Sequence, residues 1–556
     1  MAAQLIEDIG MIDLIDGLTG VHSNEVISTG QAAAAMVVMA LGFVSRPAYL
    51  SPQFFESKAL KLIIGKSKTN RTAEILPEHF NDDKLGRVLD EIYDLGPDML
   101  FQSIAFAAAR KEKLTVPTLH HDTTSFSFYG DYTSEASTGA KSGEFPAEPC
   151  HAIITYGFSK DHRADCKQLV QELLVSSDGD VPLMAKIHSG NASDVKIFQE
   201  RTKDLKRQFA EATDLMPEYI VADSKFYNEK NIQFCKDQEN GPRWITRVPD
   251  NIIEAKAAIE NAFMNNNWNT FESGQGADAN RYSASVVTRK GVAQRFIVVV
   301  TAYGLIRANK TVQRQSEKEL ETLLKKEKSL LKKKFFSKLE AEEYINQISK
   351  SLIYHKIDSF EIAAHQKYLK KGRPSVTDAV IDTYSASFLL SKLNEDEINK
   401  IVWNKASFVV GTSDLVAGAE KIIKIYRKDQ QGVERAFRFL KSPMFFADAF
   451  FFKNTKRIVA LLTLMTISLL VYSLLQRKLR LAIEEKNEPI PDQKGKPTKR
   501  PTMAWVSQSF EGIDLISHSY KGVREYKFVR LGKFANQVLA LLGSQYVDRY
   551  SSKMLI

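Results

Sequence analysis

Three acidic residues stand in settings suited to holding divalent metal ions. Asp122 closes the apolar stretch Thr118-Leu119-His120-His121-Asp122, with Thr123 and Thr124 immediately after it. Asp223 closes a second, Tyr219-Ile220-Val221-Ala222-Asp223, and Ser224 follows. Glu434 lies within residues 426–441, whose spacing predicts a helix. Two carboxylates on strand ends and a third on a distant helix can hold two divalent cations about 3.5–4 Å apart, the arrangement for in-line displacement at a phosphodiester. Magnesium suits such a set, because it prefers hard oxygen ligands and keeps several waters for a substrate phosphate to displace. Manganese is the expected substitute.

Many other acids are present, so the choice rests on context. Asp161, Asp165 and Asp178 fall in polar segments typical of turns, and Asp194 falls in a first helical turn, where it complements the helix dipole. Asp122 and Asp223 instead stop apolar strands, and ligand sites in open α/β sheets lie at the carboxyl ends of strands. On the predicted helix, Val433, Phe437 and Leu440 form one apolar stripe, while Glu434, Arg438 and Lys441 form the neighbouring one. One side would pack on a sheet while a carboxylate and two cations face a cleft, where Arg438 and Lys441 are candidate DNA-phosphate contacts. The plainer reading is a surface helix with a Glu–Arg pair worth about 0.3–0.5 kcal/mol.

The elements that must position these residues change character along the chain. Residues 1–113 read as a helical N-terminal domain, with helices over 31–43 and 97–113, and a possible role in binding DNA ends. From 114 the texture becomes strands: 116–128, then 168–175 and 182–188 joined by the turn Ser177-Asp178-Gly179-Asp180. A helix over 194–212 follows, capped by Ser193, and then strands carrying Asp223 and residues 243–248. Three strands, a helix, then strands alternating with helices is the layout of an α/β, RNase H-like (retroviral-integrase-like) core, here 114–249. The alternation stops at Pro249 and resumes at Ser407. Between them, 250–406 reads as an insertion of β-strands plus a long charged helix over 311–349. Residues 407–480 complete the core with the Glu434 helix and a buried apolar helix. Residues 481–502 read as a proline-rich linker, and 503–556 as a C-terminal tail that docks on the body or mediates self-association.

Composition narrows the partners. The net charge of +9 favours a polyanion, though only modestly. The three cysteines, Cys150, Cys166 and Cys235, make no paired metal spacing and read as reduced packing residues in a cytoplasmic protein. The N-terminus has early acids and no basic region, unlike a secretory signal. Residues 458–475 carry no charge and meet the minimum length for a membrane span. Thr463, Thr466, Ser468 and Ser473 interrupt them, and they are read as a buried core helix, with no membrane partner. Lysine runs at 325–328 and 332–334 read as a solvated helix face, with a nucleic-acid contact as the alternative. Lys370-Lys371-Gly372-Arg373-Pro374 is similar to a minor-groove arm, with a basic connecting loop as the plainer alternative; Arg373 is the candidate contact.

Taken together, these residues resemble the DDE transposases of bacterial insertion sequences. The resemblance runs from Leu114 to Arg480, on residues 119–126, Tyr156-Gly157-Phe158-Ser159-Lys160-Asp161-His162-Arg163, Gly190-Asn191-Ala192-Ser193-Asp194, Val221-Ala222-Asp223-Ser224 and the Glu434 helix. Residues 42–47 resemble part of the leading domain of one branch of these enzymes. The superfamily's glutamate motif is Tyr, two residues, Arg, three residues, Glu, six residues, Lys. Glu434 and Lys441 keep their gap, whereas Tyr426 lies one position early and Gln430 fills the arginine slot. The resemblance implies Mg²⁺-dependent cleavage at transposon terminal inverted repeats, freeing a 3′-hydroxyl that attacks target DNA, by a homodimer assembled on DNA. Asp122, Asp223 and Glu434 would be both catalytic and metal-binding. The rival reading is a sequence-specific DNA-binding protein descended from such an enzyme and catalytically inactive.

Overall fold

The computed structural model describes residues 1–42, 48–69, 73–130, 132, 152–209, 212–236, 241–272, 280–368, 380–393, 395–442, 454–520 and 523–550. The chain forms two compact units, one of Met1–Thr246 with Lys424–Ile556 and the other of Arg247–Ile423.

The first unit opens with helices α1 (Ala2–Ile9), α2 (Met11–Thr19), α3 (Thr29–Leu41), α4 (Ser51–Glu56), α5 (Leu60–Ile64), α6 (Asp82–Asp94) and α7 (Pro97–Lys111). Helix α3 starts where Ser28 accepts from Gln31 N and the Gln31 side chain returns to Ser28 N, satisfying two end groups reciprocally. Buried Asp16 of α2 takes further bonds from Ser28 Oγ at 2.8 Å and Gly30 N at 2.7 Å. A side chain at Gly30 would strike the Ile12 carbonyl and Asp16, so this approach of α2 to α3 requires glycine.

Next come β1 (Thr118–Phe128), β2 (Lys167–Ser176), β3 (Pro182–Ser189), α8 (Asp194–Gln208), β4 (Tyr219–Ala222), α9 (Glu229–Lys236) and β5 (Arg243–Val248). The strands lie in the order β3-β2-β1-β4-β5. The first three pair antiparallel, and β4 pairs parallel with both β1 and β5. Strand β2 is buried almost throughout, as expected where both faces of a sheet are covered.

In the second unit are α10 (Ile253–Met264), β6 (Asn269–Phe271), β7 (Asn280–Arg289), β8 (Val292–Val300), α11 (Ala302–Leu330), α12 (Lys338–Lys350), β9 (His355–Tyr368), β10 (Val380–Lys392), α13 (Glu395–Ala406) and β11 (Ser407–Thr412). Strands β11-β8-β7-β6 form an antiparallel array. The charged segment expected as one helix is two, α11 and α12. Phe335 breaks it: its ring is fully buried, and its backbone exchanges hydrogen bonds with Tyr384 of β10 at 2.9 and 2.8 Å. The long ribbon β9–β10 was not anticipated from the sequence. Its inward residues Ala386 and Phe388 pack with Leu323, Leu330, Ile345 and Ile348 of α11 and α12.

The chain then continues through α14 (Ala419–Leu440) and α15 (Thr455–Lys486), and on through the two-residue strands β12 (Ile490–Pro491) and β13 (Pro497–Thr498). After these come α16 (Met503–Gln508), β14 (Asp514–Tyr520), β15 (Val523–Val529), α17 (Lys533–Leu542) and α18 (Ser544–Tyr550). Helix α15 is the apolar helix, and it is buried among α1, α3, α6, α7, α17 and β3. Thr463, Thr466 and Ser468 satisfy their hydroxyls on the carbonyls of Val459, Leu462 and Leu464 one turn back. Thr466 also accepts from Gln171 of β2 at 2.7 Å. Full burial of each Leu, Ile or Val along it contributes about 1.5–3 kcal/mol, so α15 is the spine of this unit's core. It runs on to Lys486, past the start of the expected linker. The tail docks on the same core through Val538, Leu539, Leu542 and Tyr546.

Candidate active site

Strands β1 and β4 run parallel and pair from Thr118 opposite Tyr219 to His121 opposite Ala222. One step further, the register sets Asp122 beside Asp223. Strand β4 ends there, but β1 does not: Asp122 pairs with Leu173 of β2, and the strand continues to Phe128. Asp122 is therefore mid-strand, at the point where its parallel neighbour turns away, rather than at a strand end. The antiparallel partner on the other edge is what carries β1 onward.

Each aspartate is braced. Thr123 N donates to Asp122 Oδ1 at 2.7 Å. Asp223 caps the short turn that follows β4, accepting from Lys225 N at 2.9 Å, and its carbonyl accepts from Thr246 Oγ1 of β5 at 2.8 Å. Burial, and after it the negative charge of Asp122, push the Asp223 carboxyl above the usual carboxylate range. A buried carboxyl held up in this way by a neighbouring carboxylate marks an oxygen donor set short of positive charge.

Lysine side chains supply part of that charge. Lys160 Nζ lies 3.5 Å from Asp122 Oδ1, 3.7 Å from Asp194 Oδ1, and donates to Thr123 O at 2.5 Å and Thr123 Oγ1 at 2.6 Å. Asp194, at the start of α8, accepts from Thr123 Oγ1 at 2.5 Å and pairs with Lys225. Burial pushes Asp194 up, but the bonds from Lys225 and Thr123 and the charge of Lys160 outweigh it and hold the group below its ordinary value.

The segment bearing Lys160 is strapped to β2 by glycine contacts. Thr155 bridges Gln168, whose Nε2 donates to Gly190 O at 2.8 Å and Phe158 O at 3.1 Å. A Cβ on Gly157 would collide with the Gly190 carbonyl, and one on Gly190 with the carbonyls of Gln168 and Thr155. Ser125 Oγ then accepts from Lys160 N at 3.1 Å, fixing the backbone at that point.

Beneath β1 lies a buried charged cluster. Glu172 of β2, opposite Thr123 in register, takes bonds from Arg201 Nε at 2.8 Å and Nη2 at 3.0 Å and contacts His188 Nε2 at 2.9 Å. His121 Nε2 sits 2.7 Å from Glu172 Oε1, off the hydrogen-bond direction, and its ring meets Phe198 edge-on. Burial pushes Glu172 up, yet Arg201 and the two histidines hold it well below the usual range.

Glu434 lies on α14, exposed, on the helix flank beside buried Val433 and Phe437. Lys441, two turns on, is bound by Asp161 at 2.8 and 2.6 Å and lies over the Phe126 ring of β1 at 5.9 Å. The strap residues Lys160 and Asp161 thus reach Asp122 and the end of α14 from adjacent positions. Arg438 is exposed and lines, with Arg435 and half-buried Phe439, a cavity of about 1170 Å³. Arg373 lies outside the described residues. Among the described residues no three His, Cys, Asp or Glu side chains converge as a metal cage. The structure therefore brings Asp122 and Asp223 together and does not bring Glu434 into a shared cluster with them. Sequence reasoning missed Lys160 and Lys225 and took Asp194 only as a helix-dipole acid. The signal was present, since Lys160 and Asp194 both fall in the motifs that carried the resemblance.

Comparisons with known proteins fit this picture. No curated protein matches the chain. Residues 1–106 match the model of a domain of unknown function, DUF4277. Among solved structures, a cryo-EM structure of a piggyBac transposase synaptic complex with hairpin DNA is 9% identical, with a TM-score of 0.36 over 99% of this chain and 80% of that one. So distant a likeness carries no argument. Residues 151–471 match the model of the transposase DDE domain, more than half of the chain, in a stretch that holds Asp223 and Glu434 and begins after Asp122. With its paired acids at the edge of a parallel strand pair and that model matching more than half of its length, the chain belongs to the transposase DDE domain family.

Proposed function

We propose that this transposase cuts DNA at the ends of its element and joins the freed 3′-hydroxyl to target DNA, using an RNase H-like core. Asp122, Asp223 and Glu434 are the residues that would hold two Mg²⁺ ions. The observation that carries the reading is the pairing of Asp122 with Asp223, one step beyond the last parallel-paired residues of β1 and β4. The aspartate pair fits: both groups are hard oxygen donors, and burial and the charge of Asp122 leave Asp223 in need of a cation. Divalent ions bound there supply charge for the phosphate oxygens and a lower barrier to deprotonating the attacking hydroxyl.

The chain's own residues do the rest. Asp122 and Asp223 are fixed by backbone hydrogen bonds, so they orient without a search through rotamers. Arg438 and Lys441 grip DNA phosphates, Arg373 serves as a minor-groove contact, and the N-terminal helices contribute to end recognition. Two ends must be cut and joined together, which calls for a homodimer on DNA. Phosphate contacts of this kind weaken steeply with salt.

The test uses a duplex carrying the inverted repeats that bracket the coding region, a supercoiled plasmid as target, and Mg²⁺. Plasmid linked to the repeat's 3′ end supports the reading. Cleavage without joining reduces it to a nuclease. Binding without cutting supports the catalytically inactive DNA-binding alternative.

A further inference from the structure

Lys160 is not accounted for by any of these roles. Among the described residues its ammonium meets Asp122 Oδ1, Asp194 Oδ1, Thr123 O and Thr123 Oγ1, all oxygens. It is three-quarters buried, and it lies where a divalent ion bound to Asp122 would meet a like charge at close range. The backbone around it is pinned. Lys160 N is held by Ser125 Oγ, and the amides of Asp161 and Arg163 by Ser159 Oγ at 3.3 and 3.1 Å. With the backbone held, a rearrangement at this position falls to the side chain and its flexible four-carbon stem. Asp194, the other acid it faces, keeps Lys225 as a partner when Lys160 leaves.

Resting on the metal-dependent reading above, we propose that Lys160 is the resident counter-cation of the aspartate pair. It neutralises Asp122 when no divalent ion is bound and swings away when one binds. The alternative is a rivet, in which Lys160 only fastens the strap to β1 through Thr123.

Two measurements on the full chain separate these. The first is Mn²⁺ affinity by titration calorimetry for wild type, Lys160→Met, Lys160→Arg and Asp122→Ala, without DNA. Removing a competing charge should tighten Mn²⁺ binding to Lys160→Met by about tenfold. Lys160→Arg should stay close to wild type, and Asp122→Ala should lose binding. Affinity unchanged or weakened in Lys160→Met overturns the counter-cation. The second needs no variant: brief acetylation of wild type, read by mass spectrometry at Lys160. Added Mn²⁺ should raise Lys160 labelling several-fold and leave an exposed lysine with no part in the site, such as Lys494, unchanged. Labelling that stays level or falls overturns the proposal. Binding that depends on Asp122 with Lys160 unmoved removes only the counter-cation and keeps the metal site. A wild type that binds no Mn²⁺ removes both.

Discussion

Asp122 and Asp223 come from strands that are far apart in sequence but adjacent and parallel in the sheet, and they stand side by side because β4 stops one residue before its acid while β1 runs on. The relationship has a cost. Burial of Asp223 and the charge of Asp122 both disfavour the doubly ionised pair, and the amide of Lys225 and nearby cations offset part of that cost.

That cost should be visible without any metal. Asp223 titrates above its ordinary value of 3.8, so the folded state holds that proton more tightly than the unfolded chain does. Its unfavourable contribution is absent below pH 3.8 and grows as pH rises through the folded-state value. Asp223→Asn keeps the capping oxygen for Lys225 N and removes the charge. The variant should melt higher than wild type at pH 7 in chelator, with the difference closing as pH falls below 3.8; a lower melting point at pH 7 contradicts the account.

Glu172 has the opposite sign. Its folded-state value is depressed, so the stability it contributes is present above the ordinary value of 4.5 and is lost as pH falls below it. Glu172→Ala leaves Arg201 buried and unpaired and should cost about 3–5 kcal/mol in denaturant unfolding at pH 7. Replacing both residues by apolar side chains, as in Glu172→Leu with Arg201→Met, should recover most of that loss. A double variant as unstable as the single one would mean that the cluster holds β1 by more than its charge balance.

The strap depends on two glycines. Gly190→Ala drives a methyl group into the carbonyls of Gln168 and Thr155, where backbone cannot yield cheaply. Overpacking of this kind costs about 1–3 kcal/mol or more. Circular dichroism melts should show the loss. The comparison is Gly17→Ala on α2, where open space surrounds the would-be Cβ and no loss is expected. Equal melting points for the two variants would contradict the close approach at Gly190.

Lys441 and Asp161 form a partly exposed pair, so breaking it should change stability by less than about 1 kcal/mol. Their effects on DNA should differ. Lys441→Ala should weaken binding to repeat DNA and flatten its salt dependence, while Asp161→Ala should leave binding intact or strengthen it by freeing the lysine. Equal losses from both variants would show that the pair acts only as a tie between the strap and α14.

Much of the site could be read in the sequence, because an apolar run closed by an acid and a hydroxyl residue marks a strand that delivers a carboxylate to the edge of a sheet. The Ser193 cap of α8, the β2–β3 turn and the buried α15 followed from local pattern alone. What escaped depended on partners distant in the chain. Asp122 looked like a strand end because its polar neighbours Thr123, Thr124 and Ser125 are poor markers of a buried strand, yet pairing with β2 keeps them extended and buried. The break between α11 and α12 comes from Phe335 finding Tyr384, which no helical periodicity encodes. Lys160 was visible only as one residue of the motif 156–163, because its partners on β1 lie more than thirty residues away in the chain. Glu434, on an amphipathic helix, could be assigned a face but not a distance.

The most direct test of the central claim is cleavage of an end-labelled repeat duplex in Mg²⁺ by wild type, Asp122→Ala, Asp223→Ala and Glu434→Ala, with binding measured in parallel. The account predicts cutting at the repeat boundary by wild type, and no cutting by any variant while each still binds the duplex. Normal cutting by any of the three variants would contradict it.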